Sequence, residues 1–419
     1  MRRRISYRQQ MKIAFLTLGC KLNYAETSTY ERGFKAAGLQ VAGPREQADI
    51  YLVNTCSVTA TSDAKSRNLI RKVHRLNPDA RIIVTGCSAQ LRRSEIEAIE
   101  GVSRVFGCDE KHLVVPMTLG IQPSKLVPEV FGAYSTGERT RSFLKVQDGC
   151  DNRCLYCTVP DARGSSRNIP IAECVANAHA IAAEGVKEIV ITGVNTGDFG
   201  RTTGESFLDL LKALNEVPGI ERYRISSIEP NLLSDETVDW LSGGTRFQPH
   251  FHIPLQSGSD DILAAMGRRY DTAFFARKIE YIRSRFEAPG KPKVFFGIDL
   301  MTGLPGETPE RFEESFRFVE SLRPAFIHVF PYSRRPGTPA ASMPGQVDEA
   351  EKKRRVAKLE ELCTNLHGEF VEANRGIREK VLFESTRRGG CMEGYTGNYI
   401  RISRPYDPES VGQLVEVTI

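Results

Sequence analysis

No apolar run in this sequence approaches the roughly 18 residues a helix needs to cross a bilayer. Charge of one sign is not in excess either: 57 Lys and Arg stand against 52 Asp and Glu, a net of +5. That balance permits nucleic-acid binding but does not argue for it, so local basic patches must carry the case. Internal repeats and low-complexity tracts are missing. An export signal is not expected either. "MRRRISYRQQMKIAFLTLGC" has a basic head, but its apolar part, Ile13 to Leu18, is shorter than the roughly 7–15 residues required and soon meets Lys21. A cytoplasmic location is expected, with no membrane partner and residues 1–10 as a disordered extension. In that reducing compartment the ten cysteines do not read as a disulfide framework; clustered ones point to metal or redox chemistry.

What is present is an α/β pattern. Hydrophobic residues make up 40% and charged residues 26% of the 419, ordinary for a globular chain of two or three domains. "KIAFLTLG", "DIYLVNT" and "RIIVTG" read as strands separated by the helices "ETSTYERGFKAAG" and "SDAKSRNLIRKVHRLN", with "RSEIEAIEG" after the third. This predicts a small parallel α/β sheet domain over 11–125. After a Pro, Gly and Ser-rich linker, six further strands alternate with helices: "SFLKVQD", "EIVITG", "RYRISSI", "HFHIPL", "VFFGIDLM" and "FIHVFPY". They predict a partial (βα)6 barrel over 140–370, with ligands at the carboxyl ends of its strands. The helix "DEAEKKRRVAKLEELCTNLHGEFVEANRG" leads to "KVLFES", "YTGNYIRIS" and "GQLVEVTI", short strands that suggest a closed all-β, OB-like module over 376–419.

The segment "VQDGCDNRCLYCTVP" places Cys150, Cys154 and Cys157 within eight positions, directly after the first barrel strand. A closed zinc site takes four ligands, and neither cysteine nor histidine follows closely here. Three thiolates on a [4Fe–4S] cube would leave one iron open to a small chelating ligand. Cys20 in "LGCKLN", Cys56 in "VNTCSVT" and Cys87 in "TGCSAQ" each follow a strand of the first domain, so they can converge at one sheet edge. Three buried small residues would give the same pattern. Cys108, Cys174, Cys363 and Cys391 show no such arrangement and are assigned to packing.

The C-x₃-C-x₂-C spacing, with Tyr156 before its last cysteine, resembles the radical S-adenosylmethionine (SAM) superfamily. Together with "GCKLN", "NTCSVT" and "TGC" in this order and a terminal β module, it is similar to the radical SAM methylthiotransferase family over nearly the whole chain. The resemblance implies two [4Fe–4S] clusters, one on Cys150, Cys154 and Cys157 with SAM on the open iron, the other on Cys20, Cys56 and Cys87. It implies splitting of SAM to a 5′-deoxyadenosyl radical that takes hydrogen from an aromatic carbon, with sulfur presented by the second cluster. An electron donor such as flavodoxin or ferredoxin is implied as a partner.

The resemblance also assigns SAM contacts: Tyr156, Gly193 and Asn195 in "VITGVNTG", Ser226 and Glu229 in "ISSIEP", Gln256 beside Ser257, Asp299, and Tyr332 with Phe330. His250 and His252 share one strand face; local hydrogen bonding is the ordinary role for such residues. Two basic regions favour RNA. One is the helix carrying Lys65, Arg67, Arg71, Lys72 and Arg75, a pattern that a merely solvated face would also show. The other is the terminal module, which in the family is a TRAM domain associated with tRNA; here Arg387, Arg388, Arg401 and Arg404 interleave with Tyr395 and Tyr399.

"GCKLNYAE" and "NTCSVTATSDAKSR" look most like the MtaB-type branch, which methylthiolates C2 of N6-threonylcarbamoyladenosine at position 37 of the tRNA anticodon loop. The isopentenyladenosine branch usually has Gln after its first cysteine, where Lys21 stands, and Arg at the position of Thr59. Two readings of other classes are a single-cluster radical SAM RNA methyltransferase and a zinc-stabilised RNA-binding protein.

Overall fold

The computed structural model describes residues 11–122, 131–136 and 140–419; the N-terminal extension and most of the linker lie outside these. The first domain is a five-stranded parallel sheet of β1 (Lys12–Thr17), β2 (Gln40–Ala42), β3 (Ile50–Thr55), β4 (Arg81–Gly86) and β5 (Val102–Val105), in the order β2-β1-β3-β4-β5. All six residues of β3 are buried, as a central strand covered on both faces requires. The edges β2 and β5 went unread in the sequence because three or four residues show no usable periodicity.

The six expected barrel strands are all present. β6 (Ala133–Tyr134) pairs antiparallel with β7 (Arg141–Lys145), and a two-residue ribbon joins β8 (Gln147–Asp148) to β9 (Arg167–Asn168). β10 (Glu188–Thr192) and β11 (Arg222–Ile225) continue parallel from β7; β12 (His250–His252), β13 (Phe295–Thr302) and β14 (Phe326–Pro331) form a second parallel set. A bridge between Tyr223 and Phe247 joins the two sets. Alternation decides which side chain faces where. Leu144, Ile189, Tyr223 and Ile298 enter the main core with the helices, whereas Phe143, Val190, Arg224, His252 and His328 line the concave side. The helix Lys21–Ala36 of the first domain packs Tyr24 and Ala25 against Phe143 and Val190 and so covers part of that concave side.

The long helix Glu349–Glu372 begins at Asp348, whose carboxylate accepts from the N–H groups of Ala350 and Glu351 at 2.9 Å each. Its Leu359, Leu362, Cys363 and Leu366 join the barrel core, so Cys363 is a packing residue, as expected. β15 (Arg378–Arg388), β16 (Cys391–Tyr395), β17 (Arg401–Pro405) and β18 (Leu414–Thr418) then form an antiparallel sheet in the order β17-β16-β15-β18. Its two edges do not pair with each other, so the expected closure is not made by hydrogen bonds. "YTGNYIRIS" is not one strand. Thr396 to Ile400 form a turn in which Tyr399 adopts φ +65° and the Ile400 N–H donates to Thr396 Oγ1 at 2.8 Å. Gly397 and Asn398 are turn formers, and they outweigh the β preference of the tyrosines around them.

Candidate active site

The first sheet delivers three cysteines to its carboxyl edge. Cys20 follows β1 and stands at the N-cap of the helix Lys21–Ala36; Cys56 follows β3; Cys87 opens the helix Cys87–Leu91 after β4. Two glycines allow the close approach. Gly19 has φ +105°, and a Cβ there would lie 2.7 Å from Cys56 Cβ. Gly86 has φ +101°, and its Cβ would lie 2.4 Å from the Thr55 carbonyl oxygen. Asn23 fixes the loop by donating from Nδ2 to the Leu18 and Thr55 carbonyls at 2.7 and 3.0 Å.

Cys150, Cys154 and Cys157 occupy the loop beyond β7 and β8. The Cys157 N–H donates to the Cys154 carbonyl at 3.0 Å, the Val159 N–H to Cys157 Sγ at 3.4 Å, and Arg268 Nη1 to Cys154 Sγ at 3.2 Å. Burial pushes the thiols of Cys56 and Cys150 up to about 11 and that of Cys157 up to about 12. Thiolates there need a cation beside them, which the iron of a cluster provides. Among the described residues the one group of three potential ligands lying within 4.8 Å of one another is His252, Asp299 and His328. Neither cysteine triplet gathers within that distance, so neither is drawn together as a zinc site with Zn–S bonds of about 2.3 Å would be.

Five buried charges lie between the two triplets. Glu26 and Asp148 face Lys111, Lys145 and Arg163, all 4% exposed or less. Lys111 Nζ and Lys145 Nζ reach Glu26 Oε1 at 2.7 and 2.9 Å, and Lys145 Nζ reaches Asp148 Oδ2 at 2.6 Å. Arg163 Nη1 donates to Asp148 Oδ1 at 2.8 Å, its Nη2 to Asn23 Oδ1 at 2.7 Å and its Nε to Cys87 Sγ at 3.2 Å. Three cations against two carboxylates leave one positive charge over, and Cys87 supplies the balancing anion. The neighbouring Cys108 thiol, with the charges of Arg163 and Lys111, holds Cys87 down to about 6. Cys108, assigned to packing from the sequence, is therefore a neighbour of the site. A second buried pair, Arg335 with Asp63 and Ser57, ties the end of β14 to the Cys56 loop.

The residues assigned to SAM gather at the carboxyl ends of the barrel strands. Gln147 Oε1 accepts from the N–H groups of Val194 and Asn195 at 2.9 and 3.0 Å, while its Nε2 donates to the Gly149 carbonyl at 2.7 Å. One side chain thus locks the Gly193–Asn195 turn to the cysteine loop. Glu229 accepts from Arg268 Nη2 at 2.6 Å and Asn152 Nδ2 at 2.9 Å. Asp299 Oδ1 lies 2.8 Å from His252 Nε2, and His252 stacks on His328, so His252 bonds locally as expected, whereas His250 Nδ1 is buried without a hydrogen-bond partner. Gln256, at φ +71°, donates its N–H to the Asp299 carbonyl at 2.8 Å. Tyr156 and Tyr332 share one small cluster with Ile262, Met266 and Leu304. Asn195 Oδ1, Ser226 Oγ and the Tyr332 hydroxyl are buried without a hydrogen-bond partner. Buried polar atoms are rarely left so, and three assigned to one ligand fit a polar molecule bound among them.

Below the strand ends a cavity of about 960 Å³ is walled by Cys20, Lys21 and Tyr24 on one side and by His252 and His328 on another. Its floor is the terminal module. Tyr399 packs tilted against His250 and edge-on to Phe295, centroids 4.9 and 5.7 Å apart, and Arg141 donates to the Tyr399 hydroxyl at 3.1 Å. Arg224 donates to the Thr396 and Gly397 carbonyls at 2.8 and 2.7 Å. Tyr399, read from the sequence as a base-stacking residue, is instead engaged with the barrel. Arg387, Arg388 and Arg401 remain exposed, as do Lys65, Arg71, Lys72 and Arg75 on the helix Ala60–Leu76.

A family model described as "Uncharacterized protein family UPF0004" matches residues 12–107, and the radical SAM superfamily model matches 144–319. The threonylcarbamoyladenosine tRNA methylthiotransferase MtaB of Bacillus subtilis is 37% identical over 425 residues, covering 97% of this chain and 93% of the relative. A tRNA-2-methylthio-N(6)-dimethylallyladenosine synthase of Pelotomaculum thermopropionicum is 31% identical, covering 97% and 95%. Among solved structures, the radical SAM methyltransferase TsrM of Kitasatospora setae, with cobalamin and a [4Fe-4S] cluster bound, superposes with a TM-score of 0.57 at 16% identity, over 79% of this chain and 77% of that one, a likeness of fold. Sequence, cysteine placement and fold agree: the chain belongs to the radical SAM methylthiotransferase family.

Proposed function

We propose that this chain methylthiolates C2 of N6-threonylcarbamoyladenosine in tRNA, giving the 2-methylthio derivative. Relatives of that activity match at up to 37% identity, against 31% for the dimethylallyladenosine enzyme. As a family member it uses SAM and two [4Fe–4S] clusters. The finer parts of the proposal are the anticodon-loop position 37, a flavodoxin or ferredoxin as electron donor, a cytoplasmic location, division at 11–125, 140–370 and 376–419, and a TRAM role for the last module. Among the described residues no helix is long and apolar enough to cross a membrane.

The observation that carries the reading is the pair of cysteine triplets on two domains, joined by one buried charge network. In the proposal Cys150, Cys154 and Cys157 hold one cluster and Cys20, Cys56 and Cys87 the other. When bound, these groups and SAM supply the one-electron chemistry that opens an unactivated aromatic C–H bond, and the sulfur that replaces it. The chain's own residues orient and enclose. Gln147 holds the Gly193–Asn195 turn so that its carbonyls stay free for a ligand amine. Asn195, Ser226 and Tyr332 offer their unpartnered atoms to the rest of SAM, with Tyr156 as an apolar wall. Arg268 braces Cys154 and Glu229 together, while Gln256 and Asp299 shape the turn at the end of β13. The exposed arginines and lysines take phosphates of the tRNA.

The test is iron and acid-labile sulfide per chain after anaerobic reconstitution, for the unmodified protein and a Cys150/Cys154/Cys157→Ala variant. About eight irons should fall to about four, and the unmodified protein should convert threonylcarbamoyladenosine in tRNA. About four falling to none would remove the second cluster and the reading with it. Zinc and no iron would leave the RNA-binding alternative.

A further inference from the structure

Among the described residues Lys21 is a cation of the central cavity that makes no ion pair, Asp299 and Cys20 acting on it only as charges at longer range. The arginines beside it and His252 are matched. Arg141 pairs with Glu384 and Tyr399, Arg224 with Glu188 and two carbonyls, and His252 with Asp299. The Lys21 side chain lines the same cavity and makes no hydrogen bond or ion pair among the described residues, although it is only half exposed. Cys20 precedes it at the helix N-cap, so the Lys21 stem starts beside a proposed sulfur-presenting cluster and extends into the cavity, taken here as the place of the substrate base. A lysine ammonium is a strongly hydrated point charge, and leaving it partly desolvated without a partner is unfavourable. The arrangement calls for an anion that arrives with the substrate.

The threonylcarbamoyl substituent is chemically such an anion. Threonine is joined through its amine to the carbamoyl carbon, which leaves its carboxylate free; an isopentenyl substituent carries no charge. We propose that Lys21 binds the carboxylate of the N6 substituent and is thereby the residue that selects a carboxylated adenosine. This rests on the substrate reading above. C2 and C6 flank the same ring nitrogen, so a base that turns C2 toward the Cys20 site keeps its N6 substituent on the neighbouring side, where a flexible lysine reaches it.

The experiment measures binding of two anticodon stem-loops to the reconstituted protein. They are identical except that one carries the free threonyl carboxylate and the other its methyl ester. The unmodified protein should prefer the acid by roughly 10- to 100-fold, the range of a charge-assisted hydrogen bond. Lys21→Gln should bring the two within about threefold at unchanged iron content, and Lys21→Arg should retain most of the preference. A Lys21→Gln variant that still discriminates like the unmodified protein overturns the inference, as does an unmodified protein that binds both equally. Carbodiimide coupling on the unmodified protein gives a check that needs no variant. It condenses a carboxylate with an adjacent amine, losing water, and should attach the nucleoside to Lys21; attachment elsewhere, or none, overturns the inference. Failure of the substrate reading is separate, appearing as no methylthiolation of threonylcarbamoyladenosine by the unmodified protein.

Discussion

The two cysteine triplets of this molecule are built in opposite ways. Cys150, Cys154 and Cys157 lie in one loop, and their geometry is fixed mostly by nearby backbone, with the one distant contact coming from Arg268. Cys20, Cys56 and Cys87 come from three separate strand ends, and only the parallel order of β1, β3 and β4 brings them together. A local site tolerates disturbance of the surrounding fold. A site assembled across a sheet fails with the sheet, so the N-terminal triplet should be the fragile one.

The largest expected effect separates their roles. Replacing either triplet by alanine should abolish methylthiolation and remove about four irons. Reductive cleavage of SAM, followed by chromatography, should survive the Cys20/Cys56/Cys87 change and disappear with the Cys150/Cys154/Cys157 change. Arg163→Met tests the difference in robustness. It removes one cation from the buried group and the donor from Cys87, at a cost of about 3–5 kcal/mol in urea unfolding. Iron should be lost from the N-terminal site first, which electron paramagnetic resonance of the two reduced clusters can follow.

Acid should act on the same junction. Burial raises the Glu26 carboxyl, but Lys111, Lys145 and Arg163 overcome this and hold it at about 2, below its ordinary 4.5. A depressed carboxylate stabilises the fold fully above pH 4.5, and that contribution fades as pH falls from there toward 2. It is on the order of 3 kcal/mol. Denaturation curves over this window should show a shallower acid limb in Glu26→Gln. Smaller still, Arg268→Gln should weaken SAM binding by roughly tenfold with full iron, measured by calorimetry. Tyr399→Ala, which removes the ring under His250, should lower stability by about 1–2 kcal/mol in thermal melts and leave both iron and SAM cleavage intact.

Much of this architecture was legible because strand periodicity and cysteine spacing are short-range signals. The six barrel strands and the central three of the first sheet needed nothing else. Gln147, Arg163 and Arg268 were not legible, since a lone Gln or Arg carries no pattern and their partners lie far along the chain. Asn23, 140 residues from Arg163, is one example. Cys108 was passed over because it lies beyond the strand ends that marked the other three, and only the folded first domain sets it on Cys87. Tyr399 misled for a related reason. Aromatic and basic residues interleaved in a β segment suit RNA and an interior contact equally, and the Thr396–Ile400 turn decides between them by aiming the ring into the barrel.

The buried charges between the domains also bear on how a bulky substrate gets in. A hinge that swung the first domain away from the barrel would strip Glu26 of both Lys145 and Arg163 and leave Asp148 without Lys111. Each broken buried pair costs several kcal/mol, so opening at this junction is disfavoured. In the proposed reaction the substrate base must then be freed by rearrangement of the nucleic acid rather than by opening of this junction.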